Sequence, residues 1–239
     1  MAVVVVTGFV VLPFLLAGGF VAACEWAGRR VGDDAATRRR RALRVGAAVA
    51  LWLTLTAWLA DSGVLRRFDL TPPPFAILML AVAAIGIAVP FSSLGTLLVR
   101  GVPLWALVGF QAFRWPLEMV MHRAYVEGIM PVQMSYSGRN FDIVSGITAA
   151  GLGLWLKLAP APRAIVAMWN LLGLALLANV VAIAVLSTPI FRWFGDERLS
   201  TFVTYAPFVW LPAILVAAAL MGHVLLARRL VGTERSDDR

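Results

Sequence analysis

Apolar and polar positions along this chain fall in long blocks, not in the every-second-residue alternation of half-buried strands. Apolar runs on the scale of a bilayer-spanning helix, about 20 residues, cover 2–24, 45–60, 75–99, 104–122, 143–159, 164–188 and 202–227. The pattern predicts an all-α fold: a polytopic bundle of seven transmembrane helices, forming a single domain over 1–227. A polar tail at 228–239 is expected to fray. The first run lacks a basic leader, so it is expected to stay as a span despite the lipoprotein-like Val21, Ala22, Ala23 and Cys24.

Breaks within and between the runs add detail. Pro72, Pro73 and Pro74 rigidify the entry to the third span. Pro90, followed by Ser92, Ser93 and Thr96, predicts a kink whose freed carbonyl the hydroxyls help to satisfy. Ser137 to Asn140 reads as a turn, with Asn140 or Asp142 capping the fifth span. Asn170 and Asn179 lie about two and a half turns apart in the sixth span, so they are expected on opposite faces and in different environments.

Composition agrees with the pattern. The 239 residues are 61% hydrophobic and 14% charged, with a mean hydropathy of +0.84, against roughly 45–50% apolar and about 25% charged in soluble domains. The net charge of +8 does not point to nucleic acid, because the basic residues sit beside apolar spans, where anionic phospholipid headgroups are the natural partner. All but Lys157 of the 21 basic residues are arginine, a bias that fits a bacterial protein from a GC-rich genome. The single Cys24 forms no internal disulfide.

Charge also predicts orientation. One side collects Arg29, Arg30, Arg38 to Arg41, Arg44, Arg100, Lys157, Arg163 and the tail arginines, fourteen in all; the other holds Arg66, Arg67, Arg123, Arg139, Arg192 and Arg198. The positive-inside rule then puts the N-terminus outside and the C-terminus in the cytoplasm, with the bacterial inner membrane as the expected location.

Candidate chemistry concentrates in 111–142. On a helix, Gln111, Arg114, Glu118, His122 and Tyr125 lie within about 80° of one another, forming one polar stripe in an apolar span. Arg114 and Glu118 have the i, i+4 spacing of an ion pair, and Glu118 stands in the same relation to His122. Ionisable residues inside a span are costly and therefore mark candidate sites. With Arg139, Asn140 and Asp142 arriving from the loop and the fifth span, the stripe is expected to line a ligand-binding cavity open to the outside. Arg114 or Arg139 would hold an acidic group there.

Other chemistries have less support. The only second histidine, His223, is expected near the inner end of the last span, far from His122, which disfavours a multi-histidine metal site or a bis-histidine haem. A carboxylate set of Glu118, Glu127 and Asp142 is the residual metal possibility, and no metal or cofactor is expected. Ser135, Ser137 and Ser145 lack a nucleophile elbow, and no phosphate-cradling glycine loop is present.

The run from Gln111 through Tyr125, with Gly138, Arg139, Asn140, Phe141 and Asp142, resembles a family of uncharacterised multi-span bacterial integral membrane proteins. The resemblance implies no substrate, cofactor or mechanism. The expectation from the residues is a protein that binds or transports a small polar, anionic or amphiphilic solute. The alternatives are a membrane enzyme acting on a lipid or isoprenoid through Glu118, His122 or Asp142, and an accessory subunit whose stripe docks a partner helix.

Overall fold

A computed structural model describes residues 2–237, with side chains for 3–232, and these residues form helices and turns without a strand. In chain order the helices are α1 (Ala2–Arg30), α2 (Ala35–Asp61), α3 (Pro74–Phe91), α4 (Ser93–Gly101), α5 (Leu104–Gly109), α6 (Arg114–Val126), α7 (Ile143–Leu158), α8 (Arg163–Leu186) and α9 (Ala217–Asp237). Five segments are long and apolar enough to cross a membrane: Val3–Arg30, Ala35–Asp61, Pro74–Phe91, Arg163–Leu186 and Leu211–Gly232. A sixth arises if Ser93–Gly101 and Leu104–Val126, bent by 114° at the Val102–Pro103 junction, count as one span.

Local chemistry explains the element ends. Asp34 caps α2 by accepting the Thr37 amide at 2.9 Å and the Thr37 hydroxyl at 2.6 Å. These two bonds, the hydroxyl first, hold its carboxyl below the usual carboxylate range. The third apolar run does not kink at Pro90 but breaks into two helices, because Ser92 leaves helical geometry and its hydroxyl caps α4 at the Gly95 amide. At the break the hydroxyls do satisfy carbonyls, Ser92 donating to Val89 at 2.7 Å and Thr96 to Ser92 at 3.1 Å, while the Pro90 carbonyl accepts a hydrogen bond from Arg228.

The last run also differs from expectation. Residues 202–210 form short turns, and the helical span begins with a π-helical turn at Leu211–Val216, where Pro212 lacks the amide that a regular α-helix would use. At the other end the expected fraying tail continues as α9 to Asp237, with Arg228 on Pro90 and Arg229 donating to the Val99 carbonyl; 238–239 lie outside the described residues.

Burial ranks the helices. In the Leu211–Gly232 span 61% of the most apolar window is buried, against 17% for α1 and 11% for α2, so the last span is the axis around which the others pack. The outer faces of α1 and α2 expose Val3, Phe14, Leu15, Leu51 and Trp58, as lipid contact requires. Two apolar clusters fill the interior: one around Phe9, Val82, Met121, Met134 and Leu215, the other around Cys24, Leu98, Val108, Leu152 and Leu226. Along the helices, Gln111, Arg114, Asn170 and His223 fall between members of the two.

Candidate functional site

The site depends first on how closely α7 approaches the α5–α6 segment. Gly146 packs against the Trp115 backbone, where a Cβ would overlap the main chain, and a Cβ on Gly153 would come within 2.8 Å of the Gly109 Cα. This contact sets the N-terminus of α7, and with it Asn140 and Asp142, against Arg114 and Glu118. On the opposite side Gly173 of α8 leaves space for the His223 ring of α9, which a Cβ would overlap.

Arg114, 1% exposed, is the centre of the cluster. Its Nε donates to Asp142 Oδ2 at 2.6 Å and its Nη2 donates to Asp142 Oδ1 in a bidentate pair. Nη1 lies 2.9 Å from His223 Nε2, and both Nη1 and Nη2 point to the Gly173 carbonyl at 3.4 Å. A guanidinium has five hydrogens and no acceptor, so all five are directed at partners and His223 Nε2 must accept. The histidine is therefore neutral with its proton on Nδ1, which donates to Asn170 Oδ1 at 2.8 Å. Asn170 Nδ2 in turn donates to the His223 carbonyl at 3.3 Å.

Glu118 is treated differently. Its Oε1 accepts from Asn140 Nδ2 at 2.8 Å, while Oε2 is buried without a partner among the described residues. Asn140 links Glu118 to the start of α7, because its Oδ1 accepts the Asp142 backbone amide at 3.0 Å while its Nδ2 also reaches the Met134 carbonyl. One arginine thus faces two carboxylates in a region with no other buried cation. A second orphan is Gln111 Oε1, whose amide nitrogen donates to the Ala219 carbonyl at 2.9 Å.

Beside this cluster lies a cavity of about 50 Å³, lined by Arg114, Glu118 and Asp142 and otherwise by apolar side chains such as Phe75, Met79, Phe113, Leu177 and Val180. At about 10–15 Å³ per water by the same measure, it has room for about three to five waters. Its walls come from α3, α6, α8 and the π-helical turn.

The expected residues divide into two groups. Gln111, Arg114, Glu118, Asn140 and Asp142 are buried, and the last four interlock. Of the eight only Arg114, Glu118 and Asp142 line the cavity; Gln111 and Asn140 are buried outside its lining, and His122, Tyr125 and Arg139 stay out of it as well. His122 Nδ1 bonds to Ser135 and Ser137, at 3.0 and 3.1 Å, and its ring stacks on Tyr136 at 4.4 Å. Tyr125 lies 5.9 Å from His122, and the exposed Arg139 covers the Phe194 ring.

Three expectations are corrected. Arg114 pairs with Asp142 and not with Glu118; Glu118 binds Asn140 and not His122; and His223 sits against Arg114 instead of near the inner end of its span. The last change follows from the helix starting at Leu211, not 202, which centres residue 223 in the span. Asn170 and Gly173 were missed, since nothing local in α8 signals a partner on α9; Asn179 does lie apart, donating to the Arg139 carbonyl. Among the described residues no three of His, Cys, Asp and Glu are grouped to hold a metal, and Glu127 is paired with Arg123 at 2.8 Å. Comparison of the chain with protein-family models, with curated proteins and with solved structures finds no match.

Proposed function

We propose that the protein binds or moves a small polar solute of a few heavy atoms at the Glu118 cavity, with the solute presenting an ammonium or hydroxyl donor to Glu118 Oε2. The observation that carries this reading is the unpartnered, buried Oε2 of Glu118, a residue that lines a cavity otherwise apolar apart from Arg114 and Asp142. A buried acceptor left without a donor costs about 1–3 kcal/mol, more when charged, so a ligand that supplies one is favoured. The guanidinium of Arg114 is committed to Asp142, His223 and Gly173, which argues against the anionic ligand that its presence suggested. A small cation would also balance the second carboxylate, its one or two carbons resting on the Phe75, Met79 and Val180 wall.

The surrounding architecture is read as seven membrane segments: the five long apolar helices, Leu104–Val126 and the shorter α7. The fourteen-to-six distribution of basic residues supports an outside N-terminus, a cytoplasmic C-terminus and residence in the bacterial inner membrane, with the 29–44 arginines against anionic headgroups.

The test is uptake and equilibrium binding of a panel of small amines, ammonium and short alcohols by the reconstituted protein. Glu118→Gln should weaken the interaction by about tenfold or more, as expected for losing a charged hydrogen bond, while the melting temperature stays near wild type or rises. A folded Glu118→Gln protein that binds and transports as well as wild type would overturn the proposal.

A further inference from the structure

A second and much larger cavity lies on the other side of the central helix. It measures about 720 Å³, within the roughly 300–1,000 Å³ range of ligand sites, and runs between α1, α2, α3, α4, α5 and α9. Its lining carries no ionisable residue, and it is wide because the facing positions are small: Ala17, Gly19, Ala23, Ala48, Ala217 and Ala218.

Three features fix the direction of this groove. On α1 it extends from Leu16 to Trp26, about 15 Å along the helix at 1.5 Å per residue. At the Trp26 end, that indole packs 5.9 Å from Trp105, over which the Lys157 ammonium sits at 5.3 Å. Amphipathic rings with a cation beside them mark the headgroup level of a bilayer. On α2 the groove face is Val45, Ala48, Val49 and Trp52, and helical spacing continues that face one turn outward to Arg41 and Arg44.

Charge at that end is strongly one-sided. Glu25 pairs with Arg29 and Arg38, and Asp33 with Arg41. Arg30, Arg39, Arg40 and Arg44 are exposed and make no ion pair among the described residues, while Arg41 Nη1 is buried and lacks a hydrogen-bond acceptor. An apolar slot that begins at headgroup depth beneath an excess of arginines complements one class of molecule along its whole length.

We infer that this groove is a binding site for an anionic phospholipid, one acyl chain lying between α1, α2 and α9 and the phosphate held by Arg44, with the positive charge of Arg41 beside it. The site is separate from the Glu118 cavity, with which it shares no lining residue. The exposed Arg44, one turn beyond the groove face and without an ion pair among the described residues, offers its guanidinium to the phosphate, and the acyl chain fills space that the small residues leave empty. Guanidinium binds phosphate bidentately, so lysine at this position would be a poorer partner.

Gly19 allows a clean test, because it lines the groove and a Cβ there has nothing within 4 Å. The detergent-purified full chain is titrated with phosphatidylglycerol or with phosphatidylcholine of the same acyl composition, and bound lipid is counted by native mass spectrometry. Wild type should hold one phosphatidylglycerol in preference to phosphatidylcholine. Arg44→Gln should weaken the phosphatidylglycerol adduct by about fivefold, the scale of one arginine near an anionic surface, and leave phosphatidylcholine unchanged. Gly19→Phe, with its thermal melt confirming a folded protein, should remove the retained lipid of either kind. Equal retention of the two lipids by wild type, or an adduct that survives Gly19→Phe unchanged, would show that only bulk lipid covers this face and would overturn the inference.

Discussion

At Arg114 the guanidinium donates through Nε and Nη2 to one carboxylate, and its remaining hydrogens face His223 and Gly173, so both members of the Arg114–Asp142 pair are shielded from bulk solvent. Removing one partner strands the other charge, which costs about 3–5 kcal/mol, whereas replacing both by apolar groups of similar volume is often neutral. Arg114→Met and Asp142→Leu should therefore each destabilise strongly in equilibrium unfolding, and the double variant should recover most of the loss. Simple additivity of the two losses would mean the pair is not coupled. The stripe itself was legible, because Gln111, Arg114 and Glu118 stand out in an apolar run. Its pairing was not. The i, i+4 rule describes exposed faces, while a buried arginine takes the acceptor that offers two-point geometry, and here that acceptor is 28 residues away. The 3-10 turn at Phe110–Phe113 also rotates Gln111 relative to Arg114 by more than a uniform α-helix would.

Between elements, the close approach of α7 to α5–α6 is the contact that assembles the site, and it rests on glycines whose role no periodicity reveals. Gly146 and Gly151 look alike in sequence, both within α7, yet a Cβ on Gly146 overlaps the Trp115 backbone and one on Gly151 meets nothing within 4 Å. Gly146→Ala should cost about 1–3 kcal/mol by forcing the helices apart, and should also weaken solute binding by moving Asp142 and Asn140. Gly151→Ala should be neutral or stabilising by up to about 1 kcal/mol, from helix propensity alone. Thermal melts of the two variants side by side check this, and equal loss in both would rule out the glycine contact as the cause. Most helices were readable from apolar blocks. The breaks were less so: Ser92 ends α3 by capping the next helix, and 202–210 is apolar enough to pass for helix although it folds as turns.

For the molecule as a whole, hydropathy alone identifies five crossing helices and leaves Leu104–Val126 and α7 below or at the margin of the pattern. The reason is physical. The segment that carries the site must hold Gln111, Arg114 and Glu118, so its polarity hides it from a criterion based on apolarity, and α7 at 16 residues spans only about 24 Å. The central last span conceals its polar His223 among buried apolar residues, whereas α1 and α2 display their lipid-facing character openly. The proposed topology makes a prediction that separates the alternatives. In a Cys24→Ala background, cysteine replaces Ala36 or Ser62, which are exposed at opposite ends of α2. With the positive-inside arrangement, a membrane-impermeant thiol reagent added to intact cells should label Ser62→Cys and leave Ala36→Cys unlabelled until the membrane is opened. Replacing Arg38 to Arg41 by glutamine removes four of the fourteen basic residues on the proposed cytoplasmic side and should raise labelling at Ala36→Cys. Labelling at both positions in intact cells without that replacement would contradict α2 as a crossing helix. The reversed pattern would keep the span and invert the bundle, moving the arginine-rich mouth of the large groove to the outer leaflet.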